Sequence, residues 1–201
     1  VPELRSKIFV LDTSAIITLV QDIATARDKS SPGFAGVLGD NEIVIPRVVL
    51  DELDGLRKGK DERSFIASEA SRQLEYYTSQ GSLLDGVETE KGGILRFAVR
   101  PSRDKFLALD LNSKIADHEI LCTAIEEEDN LQKKLSDFDR DKLQEGESLP
   151  EVILITQDRI LRILARSIYG IKAEELQSVC APEYEYERGL RTALLSEEEV
   201  D

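Results

Sequence analysis

The residue types that carry much of protein chemistry are scarce in this 201-residue chain. It has one histidine, two cysteines and no methionine. Cys122 and Cys180 could pair with each other, but they share no metal-ligand spacing, so a thiolate zinc site is excluded. Two reduced thiols in a cytoplasmic protein is the expectation. His118 has no nucleophile to pair with, and it is expected at a rim or facing solvent rather than as a catalytic base. No apolar run approaches the ~20 residues that cross a bilayer. The early run from Ile8 to Val20 is broken by Asp12 and lacks a small-residue cleavage site, which makes it neither a signal peptide nor an anchor. Without a methionine at its start, the chain is expected to lack its initiator or a longer N-terminus. No internal repeat is visible.

Basic charge is also in deficit: 26 Lys and Arg stand against 40 Asp and Glu, for a formal charge of −14. Phosphate binding usually leaves a basic footprint, so this argues at first against a nucleic-acid partner. The distribution weakens the objection. Residues 126–151 carry a net −6 and residues 182–201 a net −5, leaving the remainder nearly balanced. Both stretches read as solvated segments, an acidic insertion at about 126–150 and an acidic extension or linker at 182–201. One domain, residues 1–181, is expected for the rest.

The hydrophobic pattern alternates strand and helix. Strands are predicted at Lys7–Asp12, Glu42–Ile45, Ile94–Val99 (one arm of a hairpin), Glu151–Thr156 and Lys172–Leu176. A helix capped by Thr13 or Ser14 follows the first strand, and another starts at Pro46 and is broken by Gly55 and Gly59. A long helix covers about Arg63 to Gln80, with Tyr76 and Tyr77 as packing or oligomer contacts. Residues from Pro101 to Asn112 read as irregular. Lys114–Glu128 reads as a helix with Ile115 and Ile120 facing inward. Asp158 opens a last helix, through Arg166, in which Ile160, Leu161, Ile163 and Leu164 pack. The order predicts a three-layer α/β/α sandwich on a mainly parallel sheet, whose functional crevice lies at the carboxyl ends of the strands.

Acids fall at those ends. Asp12 closes the first strand, and Asp158 follows the Glu151 strand after Thr156 and Gln157. Glu52 lies one turn into the helix after the second strand, and Asp117 lies near the start of the Lys114 helix. Crowded carboxylates repel one another and are tolerated when something positive sits between them; oxygen-only ligands select Mg²⁺ or Mn²⁺ over zinc. Asp12 and Asp158 also precede helices and could be caps. Asp51 and Asp54 compete with Glu52, and Glu119 with Asp117. Arg57, Lys58, Lys60 and Arg63 in one loop, and Arg159, Arg162 and Arg166 on one face of the last helix, could contact phosphate or be ordinary soluble surface.

Four motifs in order then resemble the PIN domain, a nuclease fold: Val10-Leu11-Asp12-Thr13-Ser14; Ile45-Pro46 through Asp51-Glu52-Leu53; Asp117-His118-Glu119-Ile120-Leu121; and Leu154-Ile155-Thr156-Gln157-Asp158. They span Ile8 to about Leu176. The Glu52-Leu53-Asp54-Gly55-Leu56 run and the Arg159 to Ala165 helix are most similar to the PIN domain that precedes a PhoH-type ATPase. No Gly-x-x-x-x-Gly-Lys-Ser/Thr loop is present, so any ATPase domain would lie outside this chain. The resemblance implies a metal-dependent endoribonuclease acting on single-stranded RNA. Asp12, Glu52, Asp117 and Asp158 would hold Mg²⁺ or Mn²⁺ and carry the catalysis, with Ser14 and Thr156 orienting a carboxylate or a phosphate oxygen. It also implies association of copies, which would supply basic surface to an acidic monomer. Two other readings remain: a non-catalytic RNA- or protein-binding module of the same fold, and a phosphotransfer domain with Asp12 as nucleophile. The second lacks the acid two residues on, because position 14 is Ser.

Overall fold

In the computed structural model, which describes residues 7–25, 33–136 and 149–177, the strands form where short apolar runs are bounded by polar residues. They are β1 (Lys7–Leu11), β2 (Glu42–Pro46), β3 (Val87–Glu88), β4 (Ile94–Ala98), β5 (Glu151–Ile155) and β6 (Lys172–Glu174). The sheet order is β3-β4-β2-β1-β5-β6, with only β3 antiparallel. Strands β1 and β5 are adjacent in its interior, and Phe9, Val10, Leu11, Val152, Ile153, Leu154 and Ile155 are almost wholly buried. Burial on both faces explains why these runs are continuous rather than alternating.

The helices are α1 (Thr13–Thr25), α2 (Phe34–Val37), α3 (Arg47–Arg57), α4 (Glu62–Thr78), α5 (Arg103–Ala108), α6 (Ala116–Ser136) and α7 (Arg159–Ile168). The chain moves one way across the sheet from β1 through β2 to β4, and the other way from β4 through β5 to β6. Right-handed crossovers therefore put α1, α3 and α4 on one face and α6 and α7 on the other. The expected three layers are present. The direction of travel reverses between β1 and β5, which is where an open parallel sheet forms its crevice. No helix among the described residues is long and apolar enough to cross a membrane.

Several local expectations need correction. Asp12, not Thr13 or Ser14, is the residue before α1, and its carboxylate accepts a weak 3.3 Å bond from the Ser14 amide. Gly55 does not break α3, which runs on to Arg57. The irregular stretch after Pro101 contains α5, because Ser102 caps it by accepting from the Lys105 amide. β6 stops at Glu174 rather than Leu176. Ile115, Ile160 and Ile163 face solvent; Leu161 and Ala165 form the buried stripe of α7.

The largest correction concerns the acidic insertion. Residues 126–136 are the second half of α6, with Glu127 and Leu131 buried. Arg96 on β4 explains the buried acid: it forms paired hydrogen bonds to Glu127 at 2.9 and 2.7 Å and another to Glu42 at 2.6 Å. Lys105 on α5 makes a single ion pair with Asp129, whose side chain is half-exposed. The remainder of the insertion (137–148), Cys180 and the expected 182–201 extension lie outside the described residues.

The β3–β4 hairpin closes on Gly93, where an added Cβ would meet the Asn41 and Gly39 carbonyls at 2.6 Å each. Backbone cannot step aside as a side-chain tip can. Gly93→Ala is therefore expected to cost about 1–3 kcal/mol in urea unfolding. Gly55→Ala, which meets nothing within 4 Å, should be neutral or stabilise α3 by about 0.5–1 kcal/mol. Equal midpoints for the two variants would refute this account of Gly93.

Candidate active site

Asp12 leaves the end of β1 with its amide donating to the Ile155 carbonyl at 3.0 Å, so its position is fixed by the centre of the sheet. Its carboxylate is buried, and one oxygen receives two hydroxyls: Ser14 Oγ at 2.6 Å and Thr156 Oγ1 at 2.5 Å. Each hydroxyl is itself held by backbone. The Gln157 amide donates to Ser14 Oγ and the Asp158 amide to Thr156 Oγ1, both at 3.0 Å. The turn after β5 thus closes onto the end of β1 through two side chains, 14 and 156, expected to orient a carboxylate.

Asp158 is a cap: its Oδ1 accepts from the amides of Ile160 and Leu161 at 2.7 and 2.9 Å. The cap reading and the site reading are compatible, since Oδ2 accepts no hydrogen bond among the described residues. Glu52 lies on α3, which packs on α4 and also reaches α6. Thr13 Oγ1 donates to Glu52 Oε2 at 2.5 Å. Asp117 stands exposed in the first turn of α6, where its charge also complements the helix dipole.

The four acids are electrostatically joined. Burial, then the charges of Asp12 and Asp117, push the Glu52 carboxyl above its usual range, against the Thr13 hydrogen bond that lowers it. Burial, then Asp12 and Asp158, push Asp117 upward. None of the four makes an ion pair with Lys or Arg among the described residues. As the side chains stand, no three His, Cys, Asp or Glu among the described residues converge closely enough to hold a metal ion.

The competing acids are engaged elsewhere. Asp51 pairs with Arg47 at 2.7 Å and Asp54 with Lys58 at 2.8 Å, all solvent-exposed. Glu119 points into the protein, 2% exposed, and lies 2.6 Å from Arg100 Nε; the contact is Coulombic, because it is not aligned as a hydrogen bond. Arg100 also donates to the Ser113 carbonyl at 3.0 Å, bracing the segment that leads to Asp117. Nothing in the sequence marked Arg100, 19 residues before its acid. His118 is half-buried and accepts from the Asn112 amide through Nδ1.

The candidate phosphate contacts divide. Lys60, Arg63 and Arg159 are exposed and make no ion pair among the described residues, whereas Arg57 and Lys58 share Asp54. Arg162 is 9% exposed, donating to the Thr156 carbonyl at 2.7 Å and reaching Glu175 at 3.3 Å. Arg166 donates to the Ala173 carbonyl at 2.6 Å. Arg162 and Arg166 therefore brace the β5 and β6 ends, rather than joining Arg159 in a free basic face.

A sequence model of the PIN domain matches residues 9–177. Protein PhoH2 of Bacillus subtilis (strain 168) is 31% identical over 170 residues, covering 85% of this chain and 33% of the relative, so the chain spans about a third of that protein's length. A solved domain of a functionally unknown protein from Methanocaldococcus jannaschii DSM 2661 superposes with a TM-score of 0.45 at 22% identity, over 85% of this chain and 91% of that one.

The raised carboxyls have a signed consequence for stability. A carboxyl whose folded pKa lies above its unfolded value favours folding when protonated and opposes it when ionised. In chelator at pH 7, Glu52→Gln and Asp117→Asn should each raise the melting temperature. The gain should shrink as pH falls through the folded pKa and vanish below the unfolded value. A melting temperature unchanged at pH 7, or a gain that grows on acidification, would contradict the electrostatic coupling.

Proposed function

We propose, for a chain that belongs to the PIN domain family, that Asp12, Glu52, Asp117 and Asp158 form a divalent-cation site for hydrolysing RNA phosphodiester bonds. PIN domains are generally nucleases. The observation that carries the reading is the set of carboxylates at the β1/β5 crevice: burial first, then the charges of their acidic neighbours, push Glu52 and Asp117 upward, and none of the four makes an ion pair with Lys or Arg among the described residues. Such a cluster fits a hard cation chemically, being made of oxygen donors alone. Filling it requires side-chain rotation, which the exposed Asp117 allows.

A bound Mg²⁺ or Mn²⁺ would supply Lewis acidity at the phosphate and a more acidic water. The protein's own groups do the positioning. Ser14 and Thr156 hold Asp12 by one oxygen, and the helix amides hold Asp158 by one oxygen. Lys60, Arg63 and Arg159 offer free cations for the phosphates of a single strand, and a cation among the acids would offset their repulsion of RNA. An ATPase domain outside this chain is part of the proposal, in keeping with the length of PhoH2 beyond the matched third.

Cleavage of single-stranded RNA should depend on added Mn²⁺ or Mg²⁺, and Asp12→Asn should slow it on the order of 100-fold or more. Calorimetric titration should show Mn²⁺ binding weakened in Glu52→Gln and unchanged in Asp51→Asn. RNA bound but uncut under either metal would favour the non-catalytic module. Equal cleavage by Asp12→Asn would remove the enzymatic reading altogether.

A further inference from the structure

Three of the four acids share a pattern that the proposed chemistry does not itself require: each has one oxygen engaged by hydrogen bonds and one left over. For Asp12 the engaged atom is Oδ2, and Oδ1 has only the 3.3 Å contact with the Ser14 amide. For Asp158 it is Oδ1, held by two helix amides. For Glu52 it is Oε2, held by Thr13, while Oε1 accepts nothing among the described residues. The first two arrangements follow from local geometry, being the end of a central strand and a helix cap.

Glu52 differs. Glutamate has three side-chain torsions, and α3 alone does not choose among them. Its tether comes from a residue 39 positions away, on another helix. Thr13 is well suited to hold it, being buried, placed at the first position of α1 and β-branched, with few rotamers open to it. No other side chain among the described residues donates to Glu52.

We infer that Thr13 is a positioning residue that selects the cation: by holding Oε2 it offers only Oε1 of Glu52, which limits this acid to one-oxygen ligation and favours Mg²⁺ or Mn²⁺ over Ca²⁺. The inference rests on the four acids being the cation site. Mg²⁺ takes near-octahedral coordination at about 2.0–2.1 Å, whereas Ca²⁺ takes six to eight oxygens and readily uses both oxygens of a carboxylate. A hydrogen bond on one carboxylate oxygen therefore opposes Ca²⁺ more than the smaller ions.

Calorimetry with Mn²⁺ alone and with Ca²⁺ alone, on the whole 201-residue chain, tests this without any activity measurement. In Thr13→Val, Mn²⁺ affinity should fall about tenfold while Ca²⁺ affinity stays within about twofold, so that the preference narrows. Thr13→Ser, which keeps the hydroxyl, should bind as the unaltered protein does. Thr13→Ala serves the same comparison if the valine variant does not fold. Unchanged affinities in the hydroxyl-free variant would overturn the inference. So would a serine variant as impaired as the valine one, because packing of the methyl group would then be the cause. If the unaltered chain binds neither cation, the reading of the acids fails first and the inference falls with it; that outcome is visible before any variant is made.

Discussion

Hydroxyl donors onto carboxylates are the interaction on which the strand-end region depends. Asp12 leaves the centre of the sheet as a buried acid without an ion-pair partner, a position that desolvation and neighbouring charge would otherwise make costly. Ser14 and Thr156 answer the desolvation with two hydrogen bonds to one oxygen. Because the amides of Gln157 and Asp158 hold those hydroxyls, the satisfaction of Asp12 and the path of the chain after β5 are one arrangement. Asp158 then starts α7 from that turn, and Arg162 closes it from behind on the Thr156 carbonyl. Neutral donors relieve the burial of Asp12 without cancelling its charge, and that charge adds to the burial of Glu52 and Asp117 in raising their carboxyls.

The central strands were legible because burial on both faces writes an unbroken apolar run, and an acid ending such a run is conspicuous. Asp12 and Asp158 could be singled out on that ground alone. Glu52 and Asp117 could not, because Asp51, Asp54 and Glu119 are acids of equal standing in sequence. Their competitors are separated from them only by partners in space: Arg47, Lys58 and Arg100. Thr13 passed as a helix cap because its real partner lies in another helix.

Charge misled where composition stood in for packing. The acids at 126–129 raised the local negative charge and so looked like solvated sequence. Arg96, 31 residues earlier, turns Glu127 into an internal pair, Lys105 pairs with the half-exposed Asp129, and α6 runs on to Ser136. In α7 the error ran the other way. Its isoleucines looked like core, yet Leu161 and Ala165 set the buried face, and Ile160 and Ile163 fall outside it.

Helix α6 carries Asp117 in its first turn and is fastened three times along its length: by Arg100 on Glu119, by Arg96 on Glu127 and by Lys105 on Asp129. A rise of about 1.5 Å per residue puts the last of these some 18 Å from the acid. The helix is therefore a clamped beam, with its working tip at one end and its fastenings reaching most of the way to the other. Sequence joined beyond Ser136 attaches on the far side of every clamp. A push delivered from that side has three ion pairs to work through before it reaches Asp117.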